Sequence, residues 1–131
     1  MNDENTSRLL EAAPNLYGER FYFECGDGWF DILLEASTQL QNKLLTFPES
    51  IRQDIVASQV KEKYGTLRFY LSYYTEELDE IIVEVEKKSA TICETCGNHG
   101  KVKGSIWLYT ACDEHTRPED KQTSESPDKS Q

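Results

Sequence analysis

Three of the four cysteines and both histidines of this chain fall between Cys93 and His115, in CETCGNHGKVKGSIWLYTACDEH. No other feature limits so strongly what the chain can fold into. Cys93 and Cys96 form a C-x2-C pair, and Cys112 with His115 forms C-x2-H after a spacer of fifteen residues. Two short loops that each supply two donors are how a chain wraps a tetrahedral zinc ion. Gly97 suits the turn after the first pair, which often needs positive φ. Between the pairs, KVKGSIWLYTA reads as a small hairpin turning at Gly104, which brings the two pairs together in a zinc-ribbon-like module.

Rival readings of the cluster fit less well. A thioredoxin-type C-x-x-C opens a helix after a strand, whereas this pair follows a helical pattern and precedes a glycine. A disulfide loop needs an oxidising compartment, for which nothing else in the chain argues. His99 is the one substitute for His115 as fourth ligand, and His115 is favoured because His99 lies only three residues past Cys96. Three thiolates and an imidazole fill the tetrahedron and leave a charge of about −1, whereas a hydrolytic zinc keeps a position open for water. The zinc deaminase signature also fails, because no proline precedes the C-x-x-C and no H/C-x-E lies upstream. The expected role of the zinc is structural, with apparent binding free energy on the order of 10 kcal/mol.

Ahead of the cluster, Trp29, Ile32, Leu33, Ala36, Leu40 and Leu44 recur at spacings of three and four, which predicts a helix starting near Asp27 or Gly28 and closed before Pro48. The stretch IVASQVKEKYGTLRFYLSYY alternates as two strands around a two-residue turn at Tyr64-Gly65 or Gly65-Thr66, and the facial pattern is the same for both. Val60, Glu62, Leu67, Phe69 and Leu71 then share one face, and Lys61, Lys63, Arg68, Tyr70 and Ser72 the other. A third strand over about Phe21 to Glu24 is expected to join this hairpin. TEELDEIIVEVEKKSA predicts a second helix, capped by Thr75, with Leu78, Ile81, Ile82 and Val85 inward and acids early, lysines late. The fold class is therefore α+β: two helices on a small antiparallel sheet, with the zinc hairpin at the C-terminal end. Expected boundaries are a flexible N-terminal arm over 1–15, loosely held and with RLLEAA able to form a short helix, a core over 16–90, the zinc module over 91–115 and a disordered tail over 116–131, whose apolar content is too low to offset its ordering entropy.

The formal net charge of −10 in 131 residues opposes general affinity for nucleic acid or anionic membranes. No apolar run approaches the roughly 20 residues that cross a bilayer, and MNDENTSR has neither the basic start nor the apolar stretch of a signal peptide. A location in the bacterial cytoplasm is expected. Cys25 reads as a small buried residue, since Glu24 and Asp27 oppose its ionisation. Lys61, Lys63, Arg68 and Tyr70 combine positive charge with an aromatic ring, the ingredients of a phosphate and base contact. They serve equally to pair with the chain's own acidic helix. Glu76, Glu77, Glu80 and Glu84 on that helix make a solvated face, or a row of carboxylates that imitates a phosphate backbone toward a basic partner.

The combination of KEKYG-x-LRFY, an acidic helix, ICETCGNHG and WLYTACDEH resembles a family of small, functionally uncharacterised proteins of bacteria, phages and prophages. The likeness runs from about Gly26 to His115. It implies an accessory, mobile-element setting and transfers no catalytic residue. The expected function is a non-enzymatic, zinc-stapled acidic module that binds, and in an inhibitory form blocks, a bacterial defence or nucleic-acid-processing protein such as a nuclease, as a nucleic-acid mimic or anti-CRISPR-like inhibitor. The alternative is a nucleic-acid-binding accessory that uses the basic hairpin face, with Lys101 and Lys103 of the ribbon.

Overall fold

A computed structural model describes residues 1–121. The fold is α+β, and the described residues form five α-helices and two small antiparallel sheets. In chain order these are α1 (Asp3–Ala12), α2 (Phe30–Leu44), α3 (Glu49–Arg52), β1 (Ala57–Lys63), β2 (Thr66–Leu71), α4 (Glu76–Ser89), β3 (Lys101–Lys103), β4 (Tyr109–Ala111) and α5 (Pro118–Lys121). No helix among the described residues is long and apolar enough to cross a membrane.

The hairpin β1–β2 turns through Tyr64 (φ 55°) and Gly65 (φ 90°). Positive φ at both central residues is the two-residue turn whose twist matches that of the strands, and it sets Lys63 opposite Thr66, Lys61 opposite Arg68 and Val60 opposite Phe69. Val60, Leu67, Phe69 and Leu71 are buried, as the alternation predicts. Glu62, on that face near the turn, uses its carboxylate to accept the Gly65 N–H at 2.8 Å. Helices α2 and α4 pack on each other and α4 packs on β2. The resulting core holds Trp29, Leu33, Leu40, Leu44, Leu78, Ile82 and Val85. Thr75 caps α4 by accepting the Leu78 N–H at 3.2 Å.

In this hairpin the N–H groups of Leu67, Phe69 and Leu71 point away from β1, toward an open edge. Each is met by a side chain: Ser89 Oγ at 2.9 Å, Glu86 Oε2 at 3.0 Å and Tyr74 Oη at 3.0 Å. Helix α4 and Tyr74, two residues ahead of it, thereby close an edge that would otherwise template pairing with another chain.

The expected third strand is not formed. Only Glu24 bridges β1, in parallel, with its N–H on the Val60 carbonyl at 2.9 Å and its carbonyl accepting from Glu62 at 3.1 Å. Phe21 and Phe23 instead cluster with Tyr17, at centroid distances of 5.0 to 5.2 Å, and the chain then turns away through Gly26.

The short helix allowed for in the arm over 1–15 is present and longer than RLLEAA, and the arm is docked on the core instead of loosely held. Leu9 and Ala13 are fully buried, and the Asn2 side chain caps α1 by accepting the Asn5 N–H at 2.7 Å. Leu9 and Ala13, at i and i+4, anchor it in the core, Met1 and Leu10 pack against that core, and the Met1 ammonium donates to the Cys25 carbonyl at 2.7 Å. The tail expected from 116 is also held at its start. Thr116 is buried, the Arg117 guanidinium lies 4.0 Å from the centroid of the Tyr109 ring, and the Tyr109 hydroxyl donates to Asp120 at 2.5 Å. Polar and cation–π contacts do here what apolar residues do not. The remainder of that tail lies outside the described residues. A single-turn helix, α3, with Pro48 at its N-terminal boundary, was not foreseen.

Candidate metal centre

The segment after α4 forms a knuckle. The Gly97 N–H reaches the Cys93 carbonyl at 2.9 Å and the Cys93 N–H reaches the Asn98 carbonyl at 2.7 Å. Gly97 has φ 84°, as its place after the C-x2-C pair predicts. The chain then runs through β3, turns at Gly104 (φ 95°) and returns along β4, with Lys101 opposite Ala111 and Lys103 opposite Tyr109. A 3-10 turn over Asp113–His115 folds His115 back toward Cys112. The Lys103 ammonium holds this turn, donating to the Thr116 hydroxyl and lying 3.5 Å from Asp113.

These loops bring Cys93, Cys96, Cys112 and His115 together, with one donor atom from each and all four within 4.8 Å of one another. Cys93 Sγ lies 3.6 Å from His115 Nδ1, Cys112 Sγ lies 3.2 Å from the same nitrogen, and Cys96 Sγ lies 3.6 Å from Cys112 Sγ. Bonds of roughly 2.0 to 2.3 Å to a tetrahedral zinc place sulfur and nitrogen about 3.5 Å apart and two sulfurs about 3.8 Å apart. The donor set therefore fits such an ion, with Nδ1 as the histidine donor. His99 stands outside the cluster; its backbone bridges Ile92, and its side chain is exposed.

Electrostatics at the cluster favours a cation. Burial pushes the Cys93 thiol up, but N–H groups of Cys112, Cys96 and Thr95 outweigh it and bring the pKa down to about 6. For Cys112, burial is likewise outweighed, here by His115, and the net shift is downward. For Cys96 the Asn98 N–H pulls down, yet burial and the sulfurs of Cys112 and Cys93 raise the thiol overall. Adjacent sulfurs thus resist sharing negative charge, and a divalent ion removes that conflict.

The knuckle sits on a surface that sequence reasoning missed. The Gly28 N–H donates to the Glu94 carbonyl at 2.7 Å, the Gly26 N–H to the Glu94 carboxylate at 2.9 Å, and Trp29 Nε1 to the Ile92 carbonyl at 2.8 Å. A Cβ on Gly28 would lie 2.1 Å from the Cys93 carbonyl oxygen. Asp27, expected near the start of the helix, faces the other way and accepts from the Asn2 N–H at 2.7 Å and from Asn5 Nδ2 at 3.2 Å. Two glycines spaced one apart before a tryptophan were the available signal of a close backbone approach. Cys25 is buried beside this loop, and burial first, then Glu94, pushes its thiol up to about 12.

Beyond the metal cluster, Glu76, Glu77, Glu80 and Glu84 are all exposed on α4. Lys63 and Tyr70 are exposed on the hairpin, and Lys61 and Arg68 are half-buried. Pairing of this basic face with the chain's own acids is sparse. Among the described residues the ion pairs are Lys88 to Glu35 at 2.8 Å and Lys103 to Asp113 at 3.5 Å. Lys101 is exposed, whereas Lys103 is engaged and only 12% of its side chain is accessible. The ribbon tip carries Ile106 (98% exposed) and Trp107 (70%), and Tyr64 (68%) is exposed at the turn of the other hairpin. These positions also escaped the sequence reading, although two bulky apolar residues directly after a Gly-Ser turn signal an exposed tip. Thr110 Oγ1 donates to the Gly65 carbonyl at 2.5 Å, which seats the ribbon against the Tyr64–Gly65 turn. Comparison with protein-family models, curated proteins and solved structures finds no match to this chain.

Proposed function

We propose that Cys93, Cys96, Cys112 and His115 hold a structural zinc ion, and that the chain is a non-enzymatic module that binds a protein partner. The observation that carries the metal reading is the set of four protein donors within 4.8 Å, at separations close to tetrahedral edges. Four protein ligands complete the preferred coordination of zinc and leave no position for a reacting water. Metal analysis of the purified chain tests this: one equivalent of zinc is expected, lost in Cys112→Ala, and a different resident metal or none overturns it.

Binding rather than catalysis is supported by the surfaces. Ile106 and Trp107 place apolar area in water at the tip of the hairpin closed by the metal, and Tyr64 does so at the turn of β1–β2; bulky residues of this kind anchor interfaces. Along α4 the exposed carboxylates of Glu76, Glu77, Glu80 and Glu84 suit a basic partner. The setting implied by the resemblance makes a bacterial defence or nucleic-acid-processing protein the partner class, with inhibition by imitation of nucleic acid as the mode. Competition measures this: the chain displaces DNA from such a partner, and reversing Glu76 and Glu80 to lysine abolishes displacement. Retained displacement by the reversed chain rejects the acidic face as the contact.

A further inference from the structure

Between β2 and the start of α4 lies an open cleft of about 290 Å³, lined by Arg68, Tyr70, Tyr74, Asp79, Ile82 and Glu86 together with Phe69. Its charges are opposed but not joined. Arg68 makes no ion pair among the described residues, and its Nε–H is buried without an acceptor. Glu86 spends one carboxylate oxygen on the Phe69 N–H at 3.0 Å, and Asp79 lines the cleft as an exposed residue. A guanidinium and two carboxylates therefore face one cleft with room between them, while Tyr70 and Tyr74 stay partly exposed beside it.

A ligand that satisfies this arrangement needs acceptors on one edge, donors on another and a flat body for the tyrosines. Guanine has that pattern: O6 and N7 accept, and N1–H and the N2 amino group donate. Adenine sets a donor beside N7 and has no donor on the remaining edge for a carboxylate. The volume is at the low end for small-molecule sites and suits a single base. Lys61, directly across the hairpin from Arg68, stands on the same face to meet a phosphate. Glu24, beside Lys61 in the parallel bridge, is engaged by Gln59 Nε2 at 3.1 Å.

We propose that this cleft is a guanine-binding site, with Arg68 donating to O6 and N7, Glu86 accepting from N1–H and the N2 amino group, and Tyr70 and Tyr74 contacting the ring. The reading is independent of the metal centre and of the protein partner proposed above. Guanine chemistry comes from a free nucleotide or from an unstacked base in a single strand. The net charge of −10 disfavours tracking along a duplex backbone.

The test uses the full chain and nuclear magnetic resonance, following the Arg68 Nε–H signal and the Tyr70 and Tyr74 ring signals. Probes are guanosine monophosphate, adenosine monophosphate, and uridine heptamers with a central guanine or adenine. Guanosine monophosphate or the guanine heptamer shifts all three residues, and the matching adenine probe binds about tenfold or more weakly. Arg68→Lys and Glu86→Gln each weaken guanine binding by about tenfold or more. Glu86→Gln retains an acceptor for Phe69, so its fold is kept. A heptamer preferred over the mononucleotide assigns the source to a strand, and equal affinity assigns it to the free nucleotide. Absence of shifts with both guanine probes, equal binding of adenine, or binding unchanged in both variants overturns the proposal.

Discussion

The Gly28 N–H donates to the Glu94 carbonyl at 2.7 Å, and this contact joins the start of α2 to the knuckle that carries Cys93 and Cys96. It depends on glycine. With a Cβ only 2.1 Å from the Cys93 carbonyl oxygen and 2.6 Å from Glu94 backbone atoms, no side chain fits at position 28 without moving backbone. Gly28→Ala should destabilise the chain by about 1–3 kcal/mol, the usual cost of overpacking. It should also weaken zinc binding, because the displaced segment bears two ligands. Chemical denaturation and competitive zinc titration check both, and unchanged zinc affinity would separate the docking loop from the metal centre.

Removal of the metal should affect the two parts of the chain unequally. The ribbon's own buried cluster is Cys93, Ala111 and Cys112 with Tyr109, whereas the main core of Leu33, Leu40, Val60, Phe69 and Leu78 contains no ligand. In the chelated chain, or in Cys112→Ala, amide signals from Cys93 to His115 should lose dispersion while those of α2, β1, β2 and α4 persist with a lower melting temperature. Trp29 Nε1 provides a local reporter, since its acceptor is the Ile92 carbonyl at 2.8 Å. A metal-free chain with an unaltered ribbon spectrum would contradict a structural ion.

The parts of this structure that were legible in the sequence are those set by short-range rules. Apolar spacing gave the core faces of α2 and α4, strand alternation gave the two faces of the hairpin but left its register open between two turns, and paired ligand spacings gave Cys93, Cys96, Cys112 and His115. What was missed depends on contacts between segments far apart in the chain. The helix over Asp3–Ala12 looked like a loose arm because Leu9 and Ala13 find their partners elsewhere. Phe21 to Glu24 has strand composition, but Phe21 and Phe23 gain more by clustering with Tyr17, and only Glu24 reaches β1. Asp27 and Gly28 looked like a helix start, whereas the lack of a side chain at Gly26 and Gly28 serves residues more than sixty positions away.

Edge closure of β2 makes a separate prediction. Ser89 is fully buried, and its hydroxyl accepts the Leu67 N–H at 2.9 Å while donating to the Glu86 carbonyl at 2.6 Å. Ser89→Ala strands the Leu67 N–H in a place water does not reach, at a cost of about 1–3 kcal/mol. Faster hydrogen exchange at Leu67 relative to Val60 should accompany the loss of stability. If exchange at Leu67 is unchanged, the hydroxyl is not its acceptor.

Glu86 gives the edge a dependence on pH. Burial raises its pKa above the ordinary value of 4.5, opposed by the Phe69 N–H and by Arg68 and reinforced by Asp79. A carboxyl with a raised pKa in the folded state binds protons more readily there than in the unfolded chain, so its ionisation opposes folding. The penalty is absent at pH well below 4.5, where both states are protonated, sets in as pH rises through the unfolded value, and is complete above the folded one. Glu86→Gln keeps the acceptor for Phe69 and carries no charge. The melting temperature of Glu86→Gln minus that of the wild type should therefore increase from pH 4 to pH 7 and be positive at neutral pH. A difference that instead grows toward acid would mean that attraction to Arg68 outweighs burial and that the carboxylate is held charged.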